Sequence, residues 1–275
     1  MARHIILFVC WAVIFFNSIS EAAPKKQLWK RWLEHDPQSQ FIIDHQSWNA
    51  FLSRNVLVGR DGINRIDYAN VPHADRKNLK YYIEYLGAVT VSRYRRSEQL
   101  AYWLNLYNAL TVRLVIENYP IETIKEVDIS PGFFVNGPWG KKLFEVEGIP
   151  LSLDDIEHRI LRPIWQDPRI HYLINCASIS CPNLQPIALT GRNVSAILEA
   201  AAREFINHPR AVSHDGDQLI LSKLYQWYAE DFGGDDESVI FHILKYANPR
   251  LKERLSQHKS ITDFNYDWSL NEGQL

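Results

Sequence analysis

The sequence predicts a helix-rich α+β fold in a single domain, with a small β-sheet and a long buried central helix. The apolar residues of segment 97–118 cover nearly every face of a helix, and a helix of that kind lies inside a core. Helical segments outnumber strand segments and do not alternate with them regularly, which argues against a doubly wound fold. The composition, with 46% hydrophobic and 23% charged residues, is ordinary for a globular protein.

Short helices and one hairpin are predicted before the central helix. Residues 27–33 and 47–54 are predicted as short helices, and residues 76–85 return to helix. Residues 55–58 and 63–68 flank the sequence GRDG, which predicts a β-hairpin with a four-residue turn. This hairpin supplies two of the few strands that the sequence predicts.

The central helix carries its own start and stop signals and two amide side chains. Ser97 is a predicted N-cap, and Pro120 follows the C-terminus. Asn105 and Asn108 are three positions apart and therefore share one side of the helix. A buried amide without a partner costs about 1–3 kcal/mol. These two side chains are therefore expected to bind neighbouring backbone or, as the functional alternative, to line a pocket.

The elements directly after the central helix are shorter. Residues 139–148 are predicted to be an extended segment with a glycine turn. Ser152 and Asp155 resemble a capping box, which predicts a helix over residues 152–162. Pro163 is expected to end that helix, because proline cannot continue the backbone hydrogen bonds.

The last third of the chain is predicted to be mostly helical. Residues 170–175, IHYLIN, are predicted as a buried strand that opens into a loop containing Pro182. Further helices are predicted over 194–207, 223–232, 237–246 and 250–257, and short strands over 219–221 and 261–268.

The first 22 residues have the features of a secretory signal peptide. A weakly basic start precedes twelve apolar residues, 5–16, and the small residues Ser20 and Ala22 occupy the two positions that signal peptidase reads. Twelve residues reach about 18 Å as a helix, which is short of a hydrocarbon core of about 30 Å. We therefore expect residues 23–275 to be exported, periplasmic or extracellular. An uncleaved N-terminal membrane anchor is the alternative.

The charge balance and the missing motifs exclude several classes of function. The net charge is −2, so neither nucleic acid nor an anionic membrane surface is an expected partner. No second apolar run resembles a membrane span, so none is expected in residues 23–275. The sequence has no P-loop, dinucleotide glycine pattern, G-x-S-x-G elbow or H-E-x-x-H motif, and no cofactor is predicted. The partner itself is not specified.

The segment 167–182, DPRIHYLINCASISCP, holds the densest group of reactive side chains. It contains His171, Cys176 and Cys181. Removal of a signal peptide would remove Cys10 and leave only the other two cysteines. Any chemistry of this chain is therefore predicted to lie in this segment.

Five long segments carry a resemblance to known proteins. They are EQLAYWLNLYNALTVRLVIENYP (98–120), LSLDDIEHRILRP (151–163), DPRIHYLINCASISCPNL (167–184), YQWYAEDF (225–232) and YDWSLN (266–271). In this order they resemble the domain of unknown function 547 family. The resemblance implies a fold and a site but no activity, because that family has none to carry over. In that family the position of Cys176 is typically Cys whereas that of Cys181 can be Ser, which implies a role for the first sulfur beyond pairing.

One interpretation of the segment is a nucleophilic thiol at Cys176. A free thiol with a pKa near 8.5 is only a few per cent thiolate at neutral pH, so it needs a basic neighbour. His171 lies five residues earlier on a predicted strand, and odd offsets on a strand point to opposite faces. His158, from the preceding helix, is therefore the better-placed base, and Asp154 one turn earlier could orient it.

This interpretation predicts a thiol-dependent hydrolase or acyltransferase that acts on a peptide, amide or ester. Backbone N–H groups around Ala177 and Ser178 would stabilise the oxyanion. The rival interpretation is a non-catalytic binding or structural domain in which Cys176 and Cys181 form a disulfide. The six-residue ring of that disulfide would contribute only about 2 kcal/mol in the chain-entropy picture.

Two further interpretations remain open for the same side chains. His171, Cys176 and Cys181 follow an H-x4-C-x4-C spacing, which is a weak zinc signal because paired ligands usually lie two to four residues apart. No metal is therefore predicted. Thiol–disulfide exchange is the other possibility, although active dithiols usually have two residues between the sulfurs and this pair has four.

Further candidate binding residues lie outside the segment. The aromatic residues of 225–232 have helical spacing, which is typical of core packing; the alternative is a cleft wall to which Trp227 and Asp231 contribute. Arg169 is expected to anchor backbone or a carboxylate rather than substrate. The candidate binding residues are Asn105, Asn108, Arg169, His171, Ser178, Trp227 and Asp231.

Overall fold

The structure is a computed structural model, and it describes residues 23–131 and 137–273. The described helices are α1 (Gln46–Asn55), α2 (His73–Ala88), α3 (Arg96–Asn118), α4 (Arg162–Trp165), α5 (Val194–Ile206), α6 (Lys223–Trp227), α7 (Asp236–Tyr246) and α8 (Pro249–Leu255). The described strands are β1 (Val56–Val58), β2 (Asn64–Ile66), β3 (Phe144–Val146), β4 (Ile149–Leu151), β5 (Val212–Asp215), β6 (Gln218–Ser222) and β7 (Asp263–Asn265). Helices dominate and the strands are short, so the predicted helix-rich α+β fold is confirmed.

The predicted signal peptide, residues 1–22, lies outside the described residues. Its cleavage and the export of the chain therefore stay predictions. Within the described part of the chain, no helix combines the length and the apolar character needed to cross a membrane.

The described strands form three small sheets, where the sequence predicted one. β1 and β2 pair antiparallel with Val56 opposite Ile66, which is the predicted hairpin. β3 and β4 form a second antiparallel hairpin. In the third sheet, β6 pairs antiparallel with β5 and parallel with β7. The parallel strand β7 brings the C-terminal segment back beside the end of β6, where α6 begins.

The long helix α3 lies in the core, as predicted. Its residues Ala101, Leu104 and Leu106 are fully buried, and the helix packs against α2 and α5. It begins at Arg96, one residue before the predicted N-cap, and Arg95 occupies the N-cap position without a side-chain hydrogen bond. Burial of nearly every face, rather than a cap, therefore stabilises this helix.

The two amides of α3 are fully engaged with backbone. Asn105 donates to Leu189 O at 2.8 Å and accepts from Leu189 N at 3.1 Å. Asn108 donates to Leu173 O at 2.8 Å and accepts from Asn175 N at 2.9 Å. This is the structural role that the sequence favoured. Through Asn108, the core helix fixes the backbone on both sides of residue 174, directly before the cysteines.

The strand predicted over residues 170–175 is wrong. The structure has a 3-10 helix over Pro168–Tyr172, followed by an irregular loop. Asp167 begins this helix because its side chain accepts from Arg169 N at 3.0 Å, and Pro168 has the fixed φ that a first turn requires. The apolar run is buried against α5, and burial alone produced the strand-like pattern.

The helix predicted over residues 152–162 has the predicted capping box but a different geometry. Ser152 N and Oγ both bond to the carboxylate of Asp155, and Ser152 Oγ accepts from Asp155 N at 3.1 Å. The turns of Asp155–Leu161 are π-helical rather than α-helical. Pro163 does not end the element, because it falls in the first turn of α4, where no backbone N–H is needed. Such π-helical turns are rare in proteins, and where they occur they often lie at functional sites.

Candidate active site

A cavity of about 310 Å³ lies between the π-helical segment, α6, the loop that holds the cysteines and the C-terminal segment after β7. Its volume is at the lower end of the range for small-molecule sites. The cavity brings together the predicted catalytic residues Cys176, His158 and Asp154 and the predicted binding residues His171 and Trp227. Its aromatic wall consists of Tyr107, Trp139, Trp227, Tyr228, Tyr266 and Trp268.

The chain turns sharply directly after Cys176. Ala177 has a φ of 59°, in the left-handed region that costs a non-glycine residue about 1–2 kcal/mol. Hydrogen bonds hold this conformation: Ala177 N donates to Asn175 Oδ1 at 2.9 Å, and Ala177 O accepts from Asn271 N at 3.0 Å. Asn175 also donates to Pro182 O at 2.8 Å. The N–H of Ala177, a predicted oxyanion donor, is therefore engaged by Asn175.

The sulfur of Cys176 is the meeting point of three hydrogen-bonding side chains. Cys181 Sγ lies 2.8 Å away, Tyr266 OH 3.1 Å and Ser178 Oγ 3.3 Å. The hydroxyls of Tyr266 and Ser178 also contact each other at 2.9 Å. Burial opposes the thiolate, but the hydrogen bonds from these three groups outweigh it and lower the pKa of Cys176 from 9.0 to about 7. A large share of Cys176 is therefore thiolate at neutral pH.

Cys181 is the more shielded member of the cysteine pair. Both cysteines line the cavity, but Cys181 is 4% exposed whereas Cys176 is partly exposed. Burial and the neighbouring Cys176 raise the pKa of the Cys181 thiol well above its ordinary value. Both side chains are free thiols in the structure, and the predicted disulfide stays a prediction.

His171 lines the cavity and is held by Asp231. The sequence predicted that His171 points away from Cys176 across a strand. That prediction does not apply, because the segment is a 3-10 helix and His171 lines the same cavity. His171 Nε2 lies 2.7 Å from Asp231 Oδ2. Asp231 also accepts from Arg162 Nε at 2.6 Å and from Lys26 Nζ at 2.8 Å. Burial opposes the ionisation of Asp231, but these three partners lower the pKa of its carboxyl below the usual range. Because Asp231 is a carboxylate, His171 Nε2 donates to it.

The second nitrogen of His171 has no hydrogen-bond partner among the described residues. Nδ1 lies 3.8 Å from Glu157 Oε1, which is longer than a hydrogen bond. The imidazole packs on the ring of Tyr228, with 4.0 Å between the centroids. With the proton fixed at Nε2, the lone pair of the neutral ring is at Nδ1 and is available to accept a proton.

His158 lines the same cavity with its nitrogens engaged differently. Arg162 Nη1 lies 3.0 Å from His158 Nδ1, and a guanidinium only donates, so Nδ1 is the acceptor. Nε2 then carries the proton of the neutral ring and lies 3.5 Å from Asp154 Oδ1. The predicted pair of His158 and Asp154 is therefore in place, but Arg162 occupies its lone pair. In the described part of the chain, neither His158 nor His171 hydrogen-bonds to the Cys176 sulfur.

The remaining predicted binding residues lie around the cavity rather than in its wall. Arg169 pairs with Asp167 at 2.7 Å and with Glu199 at 3.4 Å, which is the anchoring role that the sequence favoured. Ser178 does not line the cavity, but its hydroxyl contacts two side chains that do, Cys176 at 3.3 Å and Tyr266 at 2.9 Å. Asn105 and Asn108 are engaged with backbone, and Asp231 lies behind His171. No group of three or more His, Cys, Asp or Glu side chains in residues 23–131 and 137–273 is arranged to hold a metal ion.

Several side chains of the cavity were not among the residues predicted from sequence, and three of them are Tyr266, Trp268 and Glu157. Tyr266 and Trp268 belong to YDWSLN, and their rings lie 4.7 Å apart beside Trp227. Two aromatic residues in an otherwise polar terminal segment were the available signal. Glu157 precedes His158, and on an α-helix neighbouring residues point about 100° apart. The π-helical segment places both in the cavity wall.

Part of the chain matches a protein family. Residues 91–206 match the model of the family described as "Protein of unknown function, DUF547". The matched segment includes α3, the π-helical segment, His171 and both cysteines, whereas Asp231 and Tyr266 lie beyond it. Comparisons with curated proteins and with solved structures find no match. The match over residues 91–206 supports the assignment to the DUF547 family that the resemblance predicted.

Proposed function

We propose that the chain is a thiol-dependent hydrolase or acyltransferase in which Cys176 is the nucleophile. The observation that carries the proposal is the Cys176 thiol, which lines a cavity of about 310 Å³ within hydrogen-bond distance of the Tyr266 and Ser178 hydroxyls, both able to donate to a thiolate. The thiolate is the reactive form of cysteine, and these donors stabilise it. A cysteine that only filled the core would need neither polar partners nor access to a cavity. The expected substrate is an ester, an amide or a peptide.

The first half of the reaction would acylate Cys176. The thiolate forms a bond to the carbonyl carbon, and the π electrons of the carbonyl move onto its oxygen. The hydroxyls of Tyr266 and Ser178, which lie 3.1 Å and 3.3 Å from the sulfur, would donate to the new oxyanion. Burial and the two sulfurs raise the pKa of Tyr266 well above its usual value, so its hydroxyl keeps its proton. Collapse of the intermediate re-forms the carbonyl, leaves a thioester and expels the leaving group.

The second half would release the acyl group. The leaving alcohol or amine needs a proton, and the water or acceptor that attacks the thioester must lose one. An imidazole that has taken the proton of the Cys176 thiol donates it to the leaving alcohol or amine, and the neutral imidazole that results then takes the proton of the attacking water or acceptor. Attack on the thioester re-forms the thiolate of Cys176 and gives an acid or a transferred acyl group. The choice between hydrolysis and transfer depends on which nucleophile enters the cavity.

Two imidazoles are candidates for this proton transfer. His171 has its Nε2–H held by Asp231 and its Nδ1 lone pair open, which is the arrangement of an oriented general base. His158 with Asp154, the pair predicted from sequence, remains the second candidate. Its lone pair accepts from Arg162, so it must lose that hydrogen bond before it can accept a proton. The geometry therefore favours His171 with Asp231.

The test is ester hydrolysis by the full chain and by Cys176→Ser and Cys176→Ala. With a panel of p-nitrophenyl esters, we expect a burst of one nitrophenolate per active chain and a turnover rate that falls by about 10³-fold or more in both variants. Cys181→Ser is the matched control, because it removes a sulfur from the same loop and leaves the nucleophile. Turnover that survives both Cys176 substitutions would exclude this sulfur as the nucleophile.

The second candidate function is a non-catalytic binding or structural domain with a Cys176–Cys181 disulfide. The separation of 2.8 Å between the two sulfurs favours this alternative. Counting thiols on purified, unreduced protein separates the two candidates. A free thiol at position 176 that alkylates quickly near pH 7 supports the hydrolase. A pair that reacts only after unfolding and reduction supports the structural disulfide.

We also propose that residues 1–22 are a signal peptide and that the chain is exported, periplasmic or extracellular. Support comes from the twelve apolar residues at 5–16 and from the small residues Ser20 and Ala22. N-terminal sequencing of protein recovered from its native compartment tests the proposal. Cleaved protein begins at Ala23, whereas a retained leader in the membrane fraction supports the N-terminal anchor.

A further inference from the structure

We infer that Cys176 and Cys181 form a reversible redox-modification site, in which a peroxide oxidises Cys176 and Cys181 closes the disulfide. The inference goes beyond acyl transfer, in which only Cys176 reacts and Cys181 serves as its hydrogen-bond partner. It rests on the proposed function only for its consequence, because an oxidised Cys176 cannot attack a carbonyl.

The two sulfurs differ in how far an oxidant can reach them. Cys176 is partly exposed and lines the cavity, so a small oxidant can reach it. Cys181 also lines the cavity but is only 4% exposed, so it is the less reachable of the two sulfurs. The thiol that reacts first with the oxidant must be reachable, and the thiol that then closes the disulfide must lie near it. Shielding protects this second thiol from direct oxidation. The pair has this arrangement.

The sulfurs of Cys176 and Cys181 lie close enough to form a bond. The sulfurs are 2.8 Å apart, and a disulfide bond is about 2.05 Å long, so bond formation needs a movement of less than about 1 Å. Cys176 N also lies 2.8 Å from Cys181 Sγ, which holds the second side chain against the first residue. The loop between them is fixed by Cys181 N donating to Ser178 O at 3.1 Å. The two thiols are therefore already arranged for pairing.

The oxidation of the two thiols balances with a peroxide as the only oxidant. The thiolate of Cys176 attacks one oxygen of the peroxide, the O–O bond breaks, and the other oxygen leaves as water or an alcohol after taking a proton. Cys176 is then a sulfenic acid. The Cys181 sulfur displaces its hydroxyl, the S–S bond forms, and the thiol proton leaves with the hydroxyl as water. Two thiols lose two electrons in total, and the peroxide gains them.

The experiment uses the full chain, reduced and then freed of reductant, with one equivalent of hydrogen peroxide. Trypsin cleavage after Arg169 and Arg192 gives one peptide that contains both cysteines. We expect that peptide to lose the mass of two hydrogens and to resist alkylation, and dithiothreitol should restore both thiols in the folded protein. In Cys181→Ser, Cys176 should accumulate as the sulfenic acid and be trapped by dimedone. Cys176→Ser, the matched control, should show no oxidation at Cys181.

Two results would overturn the inference. One is that peroxide carries Cys176 to the sulfinic acid in the wild-type chain while Cys181 still alkylates. The other is that the disulfide forms but dithiothreitol reduces it only after unfolding, which is the behaviour of a structural bond. If Cys181→Ser does not fold, Cys181→Ala gives the same dimedone readout. Ester hydrolysis by the reduced chain is measured in parallel, so failure of the hydrolase and failure of the redox site give different patterns.

Discussion

The cavity wall holds two histidines, His158 and His171, and each lies next to a carboxylate but uses its ring nitrogens differently. His171 donates from Nε2 to Asp231 at 2.7 Å, and its Nδ1 has only Glu157 at 3.8 Å. His158 accepts at Nδ1 from Arg162 at 3.0 Å, and its Nε2 lies 3.5 Å from Asp154. Both rings are buried to a similar degree. The difference therefore lies in which nitrogen is left open, not in access to the cavity.

The comparison teaches that a histidine next to an acid is not by itself a base. A neutral imidazole has one donor and one acceptor nitrogen, and its partners decide where the lone pair points. In His171 a carboxylate fixes the donor and leaves the acceptor free. In His158 a guanidinium occupies the acceptor. Arg162 acts on both rings, because it also donates to Asp231 and helps to keep that carboxylate charged.

The strongest test of this difference is to remove each imidazole in turn. His171→Gln should lower the turnover of the reactive ester by about 10²- to 10⁴-fold, which is the usual contribution of general acid–base catalysis. His158→Gln should lower it by less than about tenfold, since a glutamine oxygen can still accept from Arg162. The measurement is steady-state hydrolysis across pH, with circular dichroism to confirm that each variant is folded.

A larger loss of turnover in His158→Gln than in His171→Gln would contradict the assignment of His171 as the base. If His158→Gln abolishes turnover and His171→Gln retains it, the pair predicted from sequence is the catalytic one. His171 would then be a buried structural residue that serves only the Asp231 network. Equal and small effects in both variants would exclude an imidazole from the slow step.

Exchanging the two carboxylates for amides sharpens the comparison. Asp231→Asn should lower turnover by about 10- to 100-fold, because the amide can present its donor to His171 and shift the proton to Nδ1. Asp154→Asn should have little effect, because its distance from His158 is already 3.5 Å. Unchanged turnover in Asp231→Asn would show that this carboxylate does not orient the base.

Asp231→Asn should also lower the thermal stability, by an amount that depends on pH. The folded-state pKa of Asp231 lies below its unfolded value, so its contribution is fully present above about pH 4 and is lost as the pH falls through the folded-state pKa. The Tm of Asp231→Asn should therefore lie below that of the wild-type at pH 7. The gap should narrow below pH 4, as thermal unfolding across pH would measure.

Much of the fold follows from sequence because it depends on local signals. The capping box of Ser152 and Asp155, the apolar length of α3 and the hairpin of β1 and β2 are each encoded within about 25 residues. Cys176 was chosen as the candidate nucleophile from local signals of the same kind, and the structure places it in the cavity wall. Its segment is dense in reactive side chains, and it begins a turn.

The partners in the site could not be predicted, because they depend on helix geometry and on distant contacts. The strand prediction turned His171 away from Cys176, and only the 3-10 helix places both in one cavity. Tyr266 lies 90 residues after Cys176 and reaches the sulfur because β7 pairs with β6. No spacing rule connects residues that far apart.

The smallest expected effect concerns what sets the pKa of the sulfur. Neither imidazole hydrogen-bonds to Cys176, whereas Tyr266 does at 3.1 Å. Tyr266→Phe removes a donor to the thiolate, which disfavours the charged form and must raise the pKa of Cys176 from about 7. A hydrogen bond to a charged group contributes about 1.5 kcal/mol or more, which corresponds to a rise of about one pH unit. Alkylation at pH 6 should therefore slow by about tenfold.

The measurement is the rate of iodoacetamide alkylation at Cys176 from pH 5 to pH 10. His171→Gln and His158→Gln should leave the midpoint near 7, because the comparison assigns the proton transfer to an imidazole but the thiolate to the hydroxyls. Tyr225→Phe is the matched control: it removes a buried hydroxyl that bonds to Tyr172 and does not touch the sulfur. A midpoint that rises in His171→Gln and stays at 7 in Tyr266→Phe would mean that the imidazole, in solution, pairs directly with the thiolate. The site would then be a Cys–His ion pair, and Tyr266 would lose its role as the group that stabilises the nucleophile.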